Sequence, residues 1–177
     1  MGDSSMHRNV FNLSRAGAVL AAAGALGFGA APAFAQTASS SLDVSATVTA
    51  NCTVTTSPIA FGAVNTLSSS NVDGTGGVTV TCTNGTAWAA SADAGSGTGA
   101  TLGNRRMTAG SNQLSYNLYT DSGRSSVWGD GTGSTATVAN TGTGLAQDFT
   151  VYGRVAAGQT SVPAGSYSDT VAVTITY

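Results

Sequence analysis

Beyond residue 35 the side chains able to do chemistry are few. They are Cys52 and Cys82, seven aspartates (Asp43, Asp73, Asp93, Asp121, Asp130, Asp148, Asp169), four arginines (Arg105, Arg106, Arg124, Arg154), and the aromatic Tyr and Trp residues. No Lys, Glu or His falls in this stretch, the single His being His7. Ser–His and Cys–His nucleophilic pairs therefore cannot be built, and general acid–base work near neutral pH is left to Asp and Tyr. Two aspartates could in principle hydrolyse a glycoside, but every Asp lies in a polar, Gly-rich or outward-facing setting, as solvated carboxylates do. Asp130-Gly131-Thr132-Gly133 hints at a calcium loop but lacks the ligand spacing of one, and reads as an Asp-Gly turn. Trp88, Trp128 and Tyr152 are the candidate sugar platform. Trp88 alternates with Ala90 and Ala92, as a core residue does; Trp128, in a Gly-rich setting, is open to either placement. Four arginines against seven aspartates leave a net charge of −3. With no basic patch to neutralise phosphates, nucleic acid is not an expected partner. The expectation is a protein that binds and assembles, with no catalytic residues, metal or cofactor.

The compartment decides what the cysteines do. Arg8 and Arg15 precede an apolar run from Ala16 to Ala31, followed by Pro32 and Ala33-Phe34-Ala35. A positive n-region, an apolar h-region and an A-x-A site make a secretory signal peptide over residues 1–35, with Gln36 as the expected mature start. The run is rich in Ala and Gly and broken by Pro32, which suits a permanent membrane span poorly. In an oxidising compartment an even pair of cysteines reads as a disulfide. Closing a loop of this size stabilises a fold by about 3–4 kcal/mol in the chain-entropy model. The alternative, a reactive or metal-binding thiol pair, has no His or third ligand nearby to support it.

These residues must be carried by strands. β-branched residues abound after residue 35 while strong helix formers are almost absent. Period-two alternation recurs between Gly-rich turns: Val78, Val80, Cys82; Trp88, Ala90, Ala92; Leu114, Tyr116, Leu118; Phe149, Val151, Val155; and Val171, Val173, Ile175, Tyr177. Asn84-Gly85 is a hairpin signal. Shorter strands are expected near Ile59–Phe61, Ser125–Trp128 and Thr135–Val138, with loops over Gly95–Gly103 and Gly129–Gly144. About seven short strands and no helical pattern after Ala35 predict an all-β sandwich.

The overlong run from Ser41 to Thr55 stands apart. Leu42, Val44, Ala46, Val48, Ala50, Cys52 and Val54 share one face. At about 3.3 Å per residue the run would extend roughly 50 Å, whereas strands in globular domains usually hold about 3–10 residues. Two uses remain open on these grounds. The run bends at Ala50–Asn51 and switches sheets within its own domain, or its first half is a free strand that pairs with another chain.

The chain resembles the spore coat U domain family, which includes subunits of archaic, Csu-type chaperone–usher pili. The resemblance runs from Leu42 to Tyr177. It is carried by Val44-x-Ala46-x-Val48 before Asn51-Cys52-Thr53-Val54, by Phe61-Gly62, by Val78-Thr79-Val80-Thr81-Cys82 and by Leu114-Ser115-Tyr116-Asn117-Leu118-Tyr119-Thr120-Asp121. It continues through Trp128-Gly129-Asp130-Gly131, Val151-Tyr152-Gly153-Arg154-Val155, Ala164-Gly165-x-Tyr167-x-Asp169-Thr170-Val171 and the ending Val173-Thr174-Ile175-Thr176-Tyr177. The resemblance implies an incomplete immunoglobulin-like β-sandwich of Greek-key type with an N-terminal donor strand over residues 36–50 and the domain proper over 51–177. It also implies identical or homologous subunits, a periplasmic chaperone and an outer-membrane usher as partners. Leu42, Val44, Ala46 and Val48 fall where donor-strand anchors lie, Ala46 being small for one. Cys52 and Cys82 fall at the family disulfide, and the strand of Val171, Val173, Ile175 and Tyr177 where chaperones pair. The implied role is a repeating or minor subunit of an adhesive surface pilus, supporting attachment and biofilm formation. The rival readings are a secreted coat-forming structural protein of the same fold and a small carbohydrate-binding module using Trp128.

Overall fold

The computed structural model describes residues 34–177; most of the expected signal peptide lies outside the described residues. Residues 34–44, the described part of the first of two compact units, carry neither helix nor strand. The second unit, Ser45–Tyr177, holds ten strands. In chain order these are β1 (Cys52–Ser57), β2 (Val72–Cys82), β3 (Ala87–Ala92), β4 (Arg105–Ala109), β5 (Asn112–Tyr119), β6 (Val127–Trp128), β7 (Thr135–Ala136), β8 (Val138–Thr141), β9 (Ala146–Val155) and β10 (Val173–Thr176). No helix occurs among the described residues.

Two sheets form. One runs β1-β2-β9-β5-β6-β7, with β4 paired to β5; the other is β10-β3-β8. The alternating apolar residues meet between them: Val78, Val80 and Cys82 of β2, Trp88, Ala90 and Ala92 of β3, Leu114, Tyr116 and Leu118 of β5, and Val151 and Val155 of β9 are all buried. Phe149 stacks on Trp88 at 6.4 Å and meets the edge of Trp128 at 5.7 Å. Fixed side-chain parity along each strand is what lets these rows face one another.

Four local expectations are corrected. Asn84-Gly85 does form a tight turn, with Gly85 at φ +81° and Thr86 N donating to Thr83 O at 3.0 Å. It does not close a hairpin, because β2 and β3 belong to different sheets. Ile59–Phe61 is not a strand. Ile59 and Phe61 instead lie over a trough where β2 and β9 carry Gly74, Gly76 and Gly153; a Cβ on Gly76 would come within 2.5 Å of Ile59 and one on Gly153 within 2.8 Å of Phe61. Packing replaces the ladder there. The Ser125–Trp128 strand is only the two residues of β6, because Asp121 accepts from Ser125 N and Ser126 N and holds both in a turn. The expected Thr135–Val138 strand is split, β7 joining the large sheet and β8 the small one within the stretch read as a loop.

Trp128 is 2% exposed, and its Nε1 donates to Ala90 O at 3.1 Å. With Trp88 also in the core, the three-residue sugar platform does not exist; of its members only Tyr152 lies outside the core.

Candidate functional site

Between the first and last parts of the domain the sandwich is open. β1 pairs only with β2, and β10 only with β3; β1 and β10 run close together without pairing. Beyond their contact the segments 56–67 and 162–173 diverge around two adjoining cavities of about 660 and 470 Å³. The cavities share Ile59, Phe61, Met107 and Tyr167. Core residues form the floor: Leu114 in the larger cavity, and Val78, Leu118, Trp128 and Val151 in the smaller. Val171 and Val173 form part of the C-terminal wall. The result is an apolar groove reaching the core.

The walls also offer main-chain groups. Residues 58–64, exposed or half-buried, make no backbone hydrogen bond to other described residues and so leave main-chain groups free to pair. β10 has one unpaired edge, and so does β1. On β1 only Cys52 is half-buried, the other five residues being exposed.

Polar contacts hold the C-terminal wall. Asp169 accepts from Ser96 N (2.8 Å), Ser96 Oγ (2.7 Å), Thr170 N (2.8 Å) and Tyr116 Oη (2.7 Å). Burial, with the Asp169 carboxylate as acceptor, pushes the Tyr116 hydroxyl far above its ordinary pKa, so it remains a donor. Asp93 Oδ1 accepts from Ala172 N at 2.9 Å and from Gly95 N at 2.9 Å. Gly95, at φ +83°, has no room for a side chain against Asp169. Beneath them Arg105 is fully buried and donates to Asp93 O, Leu102 O, Asn117 Oδ1 and Trp128 O at 2.8–3.2 Å. A buried cation given several acceptors binds together the elements that supply them.

The predicted site residues fall as follows. Cys52 and Cys82 are joined, and they are direct register partners of β1 and β2. Leu42, Val44 and Val48 are 84–88% exposed, Ala46 is exposed too, and none lies in a strand. Val171, Val173 and Ile175 are half-buried; Tyr177, expected on the same face, is 57% exposed because β10 ends at Thr176. Asp130 caps a turn, accepting from Thr132 N at 2.8 Å. Among the described residues no three His, Cys, Asp or Glu side chains are grouped to hold a metal. In the sequence Ile59 reads only as part of a short strand and Arg105 only as one of four arginines; Met107, the Asp169 contacts and the burial of Arg105 are not visible there. Only Phe61 and the Tyr167-x-Asp169 spacing were visible, as parts of the family pattern.

Fold and groove together define an immunoglobulin-like sandwich incomplete along one seam. The model of the Spore Coat Protein U domain matches residues 38–174, and the chain belongs to that family. It is 35% identical over 175 residues to Protein U of Myxococcus xanthus, covering 90% of this chain and 95% of that one. Among solved structures, it resembles a chain of the CsuC–CsuE chaperone–tip adhesion subunit pre-assembly complex from the archaic chaperone–usher Csu pili of Acinetobacter baumannii. The TM-score is 0.53 at 20% identity, over 74% of this chain and 40% of that chain.

Proposed function

We propose that this protein is a structural subunit of a chaperone–usher surface pilus that polymerises by donor-strand exchange. The observation that carries the reading is the groove open to the core between the first and last strands, in a chain that also holds an exposed, alternating N-terminal run. Residues 1–35 direct export and are removed; residues 36–50 are the donor strand; residues 51–177 are the acceptor domain. Leu42, Val44, Ala46 and Val48 of one subunit enter the groove of the next. Before assembly a periplasmic chaperone occupies the groove along the free edge of β10, which carries Val173 and Ile175, and of the flanking residues Val171 and Tyr177, which lie outside the strand; an outer-membrane usher exports the polymer, which supports attachment and biofilm formation. The resemblance to a chain from a chaperone–subunit complex supports the fold that this scheme requires.

Exported protein run on gels in mild detergent tests the reading. Ladders that collapse to monomer only on heating are expected, and removal of residues 36–50 should abolish them. A well-behaved monomer with a cooperative melt after that removal would overturn the scheme. Membership of the Spore Coat Protein U domain family favours a second reading, a secreted coat-type structural protein of the same fold, and stable monomers in the same gels would support it.

A further inference from the structure

The outer face of the large sheet carries a cluster that the groove does not use. Along β9, Val151 and Val155 point into the core while Tyr152 and Arg154 alternate to the other side. In register beside Tyr152 are Thr75 of β2 and Tyr119 of β5; beside Arg154 is Asp73. The two tyrosines are therefore cross-strand neighbours near the middle of the sheet, on the face opposite the core. Filling the groove leaves this face uncovered.

The cluster is cross-linked by side-chain contacts. Arg154 holds Asp73 with two hydrogen bonds, Nε–Oδ1 at 2.7 Å and Nη2–Oδ2 at 2.9 Å. Arg124 Nε lies 3.3 Å from the same carboxylate and donates to Gly153 O at 3.2 Å, with its guanidinium 5.7 Å from the centre of the Tyr152 ring. Arg124 is the one residue other than glycine at positive φ among the described residues, at +57°. Asp121 fixes the loop that presents it by accepting from Ser125 N and Ser126 N. A non-glycine side chain held in this region is a feature that collects at functional sites.

Donors are left over. Arg154 Nη1 and Arg124 Nη2 make no hydrogen bond to another described residue. The other two arginines of the mature chain are committed, Arg105 to the core and Arg106 to Gln113. Two guanidinium groups share the Asp73 carboxylate here and each keeps an N–H donor unused, with Asp121 in the adjacent turn and Asp148 farther along the same face of β9 as the other charges nearby. Tyrosine faces pack against the C–H faces of sugar rings, while planar guanidinium groups match carboxylates.

We propose that this face binds polysaccharide bearing carboxylate groups: Tyr152 and Tyr119 support the sugar ring, and Arg124 and Arg154 take its carboxylate. The site stands apart from the groove and does not depend on the assembly reading. The test measures retention of the exported protein, in whatever state of assembly it is released, on immobilised polygalacturonate, with neutral dextran as the control polymer. Wild type should be retained by polygalacturonate at least tenfold more strongly than by dextran, and 0.5 M salt should weaken the retention by screening. Tyr152→Ser and Arg154→Gln should each reduce retention at least tenfold, while Tyr152→Phe keeps it, with melting temperatures and detergent ladders unchanged for Tyr152→Ser. Equal retention on dextran, no retention at all, or retention indifferent to Tyr152→Ser would overturn the proposal. Those results would leave the assembly ladders untouched, so the two readings fail separately.

Discussion

At the residue scale the carboxylates divide by what they hold. Asp169 gathers four donors at the wall of the groove, so removing one leaves a half-buried acceptor short of its partner. Tyr116→Phe should cost about 1–3 kcal/mol, read as a lower midpoint in chemical denaturation; an unchanged midpoint would show that the hydroxyl contact is idle. Asp73 shows how pH enters. The hydrogen bond from Arg154 holds its carboxyl below the ordinary value of 3.8, although partial burial opposes this. A depressed folded pKa means that the contribution is present above 3.8 and lost as pH falls through the lower folded value. The pair is exposed enough that its contribution stays below about 1 kcal/mol. Melting curves from pH 7 to pH 2 should fall at the acid end, and Asp73→Asn should make that fall shallower; an identical acid limb would rule the pair out as a contributor. None of these contacts is readable in sequence, because Asp73, Arg124 and Arg154 meet only when β2, β9 and a loop are brought together.

Elements were legible where one period ran unbroken through a buried strand, as in Val78-Thr79-Val80-Thr81-Cys82 and Leu114-Ser115-Tyr116. They were not legible where tertiary packing overrode local pattern. β4 begins with Arg105-Arg106, a pair that hides a strand because Arg105 points inward on neutral acceptors. Ile59-Ala60-Phe61 alternates like a strand but is satisfied by the glycine trough rather than by hydrogen bonds. The groove could be foreseen only as the space left by a strand; its lining required the folded chain. The proposed donor segment is tested at this scale. Burying one Val or Leu yields about 1.5–3 kcal/mol, and an unpaired carboxylate in its place costs several kcal/mol. Val44→Asp or Val48→Asp should therefore stop polymer growth, while Ser45→Asp and Thr47→Asp should be nearly silent. Fibre yield by electron microscopy compares the four, and equal yields from both sets would refute the register, since a one-residue slip exchanges the two faces.

For the whole molecule, the disulfide fixes a boundary between the exposed N-terminal run and the first strand. It joins register partners at the ends of β1 and β2, 30 residues apart in sequence. Reduction should lower stability by about 3–4 kcal/mol in the chain-entropy model, measured as a fall in melting temperature with and without reductant. In a fibre joined through residues 36–50 this position acquires a mechanical meaning. Tension carried by the N-terminal run arrives at Asn51 and passes at once into a covalent bond to β2, the long strand at the side of β9. The six ladder positions of β1 are thus bypassed, and β1 cannot be peeled away to relax the load. The loop between the cysteines, about 100 Å of chain at roughly 3.3–3.6 Å per residue, stays hidden from the pulling force until the bond is reduced. Force spectroscopy on oxidised and reduced fibres should therefore differ by that contour length per subunit, the oxidised fibre yielding the shorter extension.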